Sequence, residues 1–152
     1  MLRGLIGGFA LVSICVVIHT FGLVLLAAWL IRHPHKEQPQ FNITRYSLML
    51  TAIFAVITLL HLIETFVWAT FYDLCGHFND FETSWYFSVS SYTTIGYGDV
   101  VLPEKWRMLG GVEGINGVLL CGLSAAFLFG IVNQMFTSRA QRTAAQSSGD
   151  LD

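Results

Sequence analysis

The chain has 152 residues, of which 54% are hydrophobic, 14% aromatic and only 12% charged, and its formal net charge is −2. This balance falls outside the range of water-soluble domains and points to a bilayer as solvent, while the near-neutral charge offers no attraction to a nucleic acid. The length leaves room for one domain and no second globular module.

Three apolar stretches each exceed the roughly 20 residues that cross a hydrocarbon core about 30 Å thick, which predicts an all-α membrane protein with three transmembrane helices. The first, Leu5 to Ile31, carries no charge and sets an N-terminal helix at 1–31. Its apolar run is longer than the ~7 to 15 residues of a signal-peptide core, and Ala27-Ala28 makes a poor cleavage site. A linker follows at 32–45, where HPHKEQPQ, with prolines at 34 and 39, cannot continue a helix. The second helix is expected at 46–72, with Glu64 as its single charge, and the third at 108–136, with Glu113 as its single charge. Residues 137–152, which end in QSSGDLD, read as a disordered tail.

Basic residues near membrane ends set orientation. Arg32, Lys36 and Arg45 in the linker and Arg139 and Arg142 in the tail place both on the cytoplasmic side, whereas 73–107 carries five acids against Lys105 and Arg107. Three crossings then put the N-terminus outside, with Arg3 as the one dissenting charge. A chain this small and undecorated suggests a multi-pass protein of the plasma membrane, in a bacterium the inner one.

Between the second and third helices, 73–83 (beginning DLCGHFNDFE) reads as an acidic turret and 84–93 as a short helix capped by Thr83 or Ser84, with Trp85, Phe87, Val89 and Tyr92 as bulk. That helix is too short to span, so it must dip into the membrane and return. Irregular backbone at membrane depth is tolerated only where protein or a water-filled path surrounds it. The irregular stretch is SYTTIGYGDV at 91–100, in which glycine alternates with larger residues and can turn successive carbonyls the same way.

The run Thr94-Ile95-Gly96-Tyr97-Gly98-Asp99, between a short helix and an apolar one, resembles the filter signature of the potassium channel pore-domain family. The resemblance covers 46–136 in the family's order: outer helix, turret, short pore helix, filter at 94–99, inner helix. It implies a re-entrant pore helix and a homotetramer in the lipid bilayer, since one chain carries one loop and a ring needs four. It implies that the carbonyls of Thr94, Ile95, Gly96 and Tyr97 and the hydroxyl of Thr94 hold K+, the permeant ion; that Gly96 and Gly98 let the carbonyls point inward; and that Asp99 sits at the outer mouth. The expected activity is passive K+ conduction with no cofactor, the alternatives being a weakly selective cation channel or a non-conducting accessory subunit. The chain departs from many bacterial relatives at Ser90, where a glutamate reaches behind the filter to the following aspartate; here that bond cannot form.

The second helix places Ser47, Thr51, Thr58, His61, Thr65, Trp68 and Tyr72 on one face, with Glu64 beside it. Ionisable groups at such depth are costly unless turned toward protein. Counting about 1.5 Å per residue from the outer ends, His61 and Glu64 lie level with Asn116 and Glu113 of the third helix. These four, together with Ser90, form a predicted network bracing the filter from behind. Gly110, Gly114, Gly117, Cys121 and Ser124 make a small-residue stripe for close helix packing, with a hinge at Gly117 or Gly122 as the second reading.

Cys15 and Cys121 read as inert, and Cys75 is an extracellular thiol that has only a weak case for bridging two subunits. His33, His35 and His77 read as solvated side chains, and no zinc spacing is recognisable. The first helix lacks the regular arginines of a voltage sensor, and no nucleophile motif or H-E-x-x-H supports an enzyme.

Overall fold

The structure, a computed structural model, describes residues 2–32 and 43–149, with side chains described at 6–32 and 43–137. Four α-helices follow in order: α1 (Leu2–Arg32), α2 (Ile43–Leu74), α3 (Phe81–Tyr92) and α4 (Arg107–Gly149), the last entered through a 3-10 turn at Glu104–Trp106. Three of them, α1, α2 and α4, contain segments long and apolar enough to cross a membrane. Of the expected linker, 33–42 lies outside the described residues.

Three expectations need correction. The residues after 136 were read as a disordered tail, yet α4 runs on without a break to Gly149; Ala140, Gln141, Arg142, Ala144, Ala145 and Gln146 are strong helix formers, and their intrinsic preference outweighs the polar composition. The cap of α3 is neither Thr83 nor Ser84. Asp80 takes that place, its Oδ1 accepting from Thr83 N at 2.7 Å and its Oδ2 from the Thr83 hydroxyl at 2.9 Å, so the helix starts one turn early. His77, read as solvated, packs its ring 4.7 Å from that of Trp106, and its Nε2 is buried without a hydrogen-bond partner among the described residues.

Two units are distinguished, residues 1–120 and 121–152. The second is the continuation of α4, a helix that exposes Leu123, Phe129 and Phe136. The first holds the packed core. There α1 buries Gly8, Leu11, Cys15, His19, Leu23 and Leu26, steps of three and four that define one stripe. α4 does the same with Leu109, Glu113, Gly114, Asn116, Gly117 and Leu120. Within lipid, sequestering apolar side chains is no driving force, because the tails are as apolar as leucine; close backbone approach and interhelical hydrogen bonds must hold the helices. Glycines supply the approach. A Cβ at Gly8 would lie 2.7 Å from Leu109 Cδ2, and one at Gly22 2.6 Å from Leu60 Cδ2. Aromatic rings fill the upper core, with Phe87 of α3 set edge-on to Tyr72 of α2 at 5.2 Å and against Phe78 at 5.2 Å.

Candidate functional site

The glycine-bearing segment after α3 is held at its start by the helix turn and at its far end by a side chain of α3. α3 ends in a tight turn in which Thr94 N donates to Ser91 O at 3.0 Å and Gly96 N to Ser90 O at 3.1 Å. From there the backbone alternates: Thr94, Gly96 and Gly98 have φ of 60°, 57° and 80°, with the residues between them in ordinary negative φ. Such alternation turns consecutive peptide planes so that their carbonyls share a side. A Cβ at Gly96 or Gly98 would meet nothing within 4 Å among the described residues, so the backbone angle, not space, requires glycine there. Thr94 adopts the same angle with a β-branched side chain, at a cost on the order of 1–3 kcal/mol.

Every residue from Thr93 to Asp99 is exposed in the single chain. Beside the segment lies a cavity of about 520 Å³, lined by Ser90, Thr94, Gly96, Gly111, Ile115 and Val118 among others. The α4 glycines bring the helix against the α3 turn: a Cβ at Gly114 would sit 3.2 Å from Ser91 O, and one at Gly117 only 2.0 Å from Tyr92 O.

Tyr86, which no sequence pattern singles out, steadies the far end of the segment. Its ring stacks on Tyr97 at 6.4 Å with 10° between planes, and its hydroxyl donates to Asp99 Oδ2 at 2.7 Å. That bond holds the Asp99 carboxyl below the usual carboxylate range and raises the Tyr86 phenol. With its folded pKa depressed, Asp99 contributes stability that is present above its unfolded pKa and is lost as pH falls through the folded value. Tyr86→Phe is expected to return the Asp99 pKa upward to the ordinary range, read by an NMR titration of labelled aspartate carboxyls; an unchanged titration would show that the bond does not form.

Behind the segment, the polar residues of the helix interiors fall into two clusters. In the deeper one, His19 Nδ1 of α1 lies 2.8 Å from Glu64 Oε1, and the Tyr92 hydroxyl of α3 donates to Glu64 Oε2. His61 Nδ1 lies 2.8 Å from the Tyr92 hydroxyl and 3.2 Å from Glu64 Oε2. The hydrogens close if both imidazoles carry the Nδ1 proton: His19 donates to the carboxylate, and His61 donates to the phenol that donates onward. Three helices thus meet at one buried carboxylate.

In the shallower cluster Glu113 of α4 takes the Tyr72 hydroxyl on Oε2 at 2.8 Å, and its Oε1 lies 2.5 Å from Ser88 Oγ of α3. Ser88 Oγ also reaches Thr65 O at 2.8 Å, and Trp85 Nε1 donates to Thr65 Oγ1 at 3.2 Å. Between the clusters the Cys15 thiol lies against Asn116 and Trp68, while the Asn116 amide and Trp68 Nε1 have no hydrogen-bond partner among the described residues.

The structure therefore joins His61 to Glu64 but gives Glu113 different partners, leaves Asn116 unpaired, and keeps Ser90 at the α3 turn, where its carbonyl accepts from Gly96 N. His19, Ser88 and Tyr86 join these clusters and contacts without a signal in the sequence, while Tyr72 is expected only as part of the polar face of α2 and Tyr92 only as bulk. Of the two readings for Gly117 and Gly122, close packing fits Gly117, whereas a Cβ at Gly122 meets nothing within 4 Å among the described residues. Cys75 is exposed and its thiol is free.

Residues 60–134 match a family described as "Ion channel". No curated protein and no solved structure matches the chain.

Proposed function

Because residues 60–134 match the ion-channel family and three helices are long and apolar enough to cross a membrane, we propose that the chain is a multi-pass membrane protein that conducts K+ passively through a filter built by four copies of residues 94–98. The observation that carries this reading is the alternation of positive φ at Thr94, Gly96 and Gly98, because carbonyls aimed to one side can replace the hydration shell of a potassium ion. Depth supports it. The end of α3 meets His61, which at about 1.5 Å per residue lies roughly 20 Å inside the end of α2 at Leu74, which supports reading α3 as a re-entrant helix and the segment as starting within the hydrocarbon. Backbone with unsatisfied carbonyls is not tolerated against lipid. Four copies around one axis would enclose the exposed segment and fill the cavity beside Gly111 and Ile115. The N-terminus is then outside and the C-terminus cytoplasmic, as the basic residues require.

Proteoliposomes holding the pure protein and opposed K+ and Na+ gradients test this directly. The expected reversal potential lies near that of K+. One midway between the two would favour the weakly selective pore, and silence in pure lipid the accessory subunit.

A further inference from the structure

We propose that His19, His61 and Glu64 bind one divalent transition-metal ion of the zinc class, a site separate from the conduction path and not required by it. Each of the three offers a ligand atom, and these atoms all lie within 4.8 Å of one another. Two imidazoles and one carboxylate with a fourth position open is a donor set that zinc takes in water-accessible sites. The chemistry discriminates among ions. Imidazole suits zinc, copper, iron and nickel, whereas magnesium and calcium call for oxygen donors; the permeant potassium ion likewise has oxygen ligands in the proposed filter.

The geometry needs little change. Tetrahedral bonds of about 2.0–2.1 Å set ligand atoms roughly 3.3–3.5 Å apart. His61 Nδ1 lies 3.2 Å from Glu64 Oε2 and His19 Nδ1 2.8 Å from Glu64 Oε1, so a carboxylate ligating through one oxygen keeps one of these contacts near its present length and turns to bring that oxygen to the other imidazole. On binding, each imidazole changes to its Nε2–H tautomer, so that Nδ1 gains a free lone pair and no net proton is lost. The Tyr92 hydroxyl, already bonded to Glu64, orients the carboxylate from outside the ligand set, the arrangement that metal-ligating carboxylates usually show. His19 and Glu64 are wholly buried, while the His61 side chain keeps 19% of its surface exposed, so the cluster is open on the His61 side.

Such an ion would clamp α1, which lies outside the matched channel segment, to α2 and, through Tyr92, to the end of α3. A reading by local spacing misses the site because 45 positions separate His19 from Glu64, and only the helix packing brings them together.

The test uses the full chain in detergent, tag removed and stripped with a chelator, titrated with Zn2+ by calorimetry and with Co2+ by visible absorption. One ion per chain and an intense, tetrahedral-type Co2+ spectrum are expected. His19→Asn and, separately, His61→Gln should each weaken binding by at least about 100-fold, since even partners outside the ligand set are worth 10–100-fold. A combined His33→Ala, His35→Ala, His77→Ala variant should bind as the parent does. Variants are compared only if they elute as the parent does in size-exclusion chromatography, and the partly exposed His61 position provides a variant that should fold if His19→Asn does not. Absence of stoichiometric binding in the parent, or binding that survives His61→Gln unweakened, would overturn the proposal. Neither result depends on whether the protein conducts.

Discussion

Gly117→Ala is expected to lower the thermal stability of the detergent-solubilised protein sharply and to abolish potassium flux in proteoliposomes. The added methyl would fall 2.0 Å from the Tyr92 carbonyl oxygen and 2.9 Å from its carbon. These are main-chain atoms of the α3 turn, so no flexible side chain can swing aside. Either α4 moves away from α3 or the turn that carries Thr94 moves with Tyr92. Overpacking costs about 1–3 kcal/mol where side chains can adjust, and a main-chain obstacle belongs at or above the upper end of that range. Gly122→Ala is the matched control. Its methyl meets nothing within 4 Å among the described residues and exchanges glycine for the best helix former, a gain of up to about 1 kcal/mol. The pair separates packing from hinge motion: a hinge at Gly117 would make alanine alter gating at unchanged melting temperature, whereas tight packing makes the melting temperature fall. An unshifted melting curve for Gly117→Ala would refute the close approach of α4 to the turn.

What the sequence disclosed, and what it withheld, divides along a physical line. Spans of lipid length announce themselves by composition, so α1, α2 and the apolar part of α4 were legible to within a few residues while the polar continuation of α4 to Gly149 was not, and alternating glycines beside a short helix pointed to the segment proposed to conduct. Positions defined by contact between helices were not legible. Periodicity put His61 and Glu64 on the interior of α2, but nothing in a linear pattern says that His19, on a helix that reads as uniformly apolar, turns toward them. Tyr92 was read as bulk because its ring is apolar, yet its hydroxyl is the link between His61 and Glu64. Tyr86 is missed for another reason: with Ser90 in place of the relatives' glutamate, the brace is sought in the polar residues of α2 and α4, and the structure gives Asp99 a partner from position 86, one helical turn before Ser90. At Gly117 the sequence left packing and hinge both open, since only the distance to another segment separates them. Asp80 displaced the expected caps because it lies just ahead of the apolar Phe81 and has two carboxylate oxygens for Thr83, whereas Ser84 donates its own hydroxyl to Asp80 O.

The Glu113 side chain should separate a hydrogen-bonding role from a charged one. Ser88 has a single hydroxyl proton, yet its oxygen lies 2.5 Å from Glu113 Oε1 and 2.8 Å from Thr65 O. One proton cannot serve two acceptors. The count closes if Glu113 Oε1 supplies a hydrogen of its own to Ser88, Ser88 passes its hydrogen to Thr65 O, and Tyr72 donates to Glu113 Oε2. A glutamine reproduces that pattern, with its amide donating to Ser88 and its carbonyl accepting from Tyr72. Glu113→Gln is therefore expected to keep the melting temperature and the flux near those of the parent. Glu113→Ala leaves the buried Tyr72 hydroxyl with no acceptor and opens a void where α2, α3 and α4 meet. An unsatisfied buried group costs about 1–3 kcal/mol, and the void adds to it. Interhelical bonds in membranes average only about 0.6 kcal/mol, so the orphaned group and the void, not the lost bonds, dominate. A loss of about 2–4 kcal/mol is expected, read as a large drop in melting temperature and in folded protein recovered from the membrane. If glutamine proves as damaging as alanine, a full negative charge at Glu113 is what the cluster requires, and the proton count above is wrong.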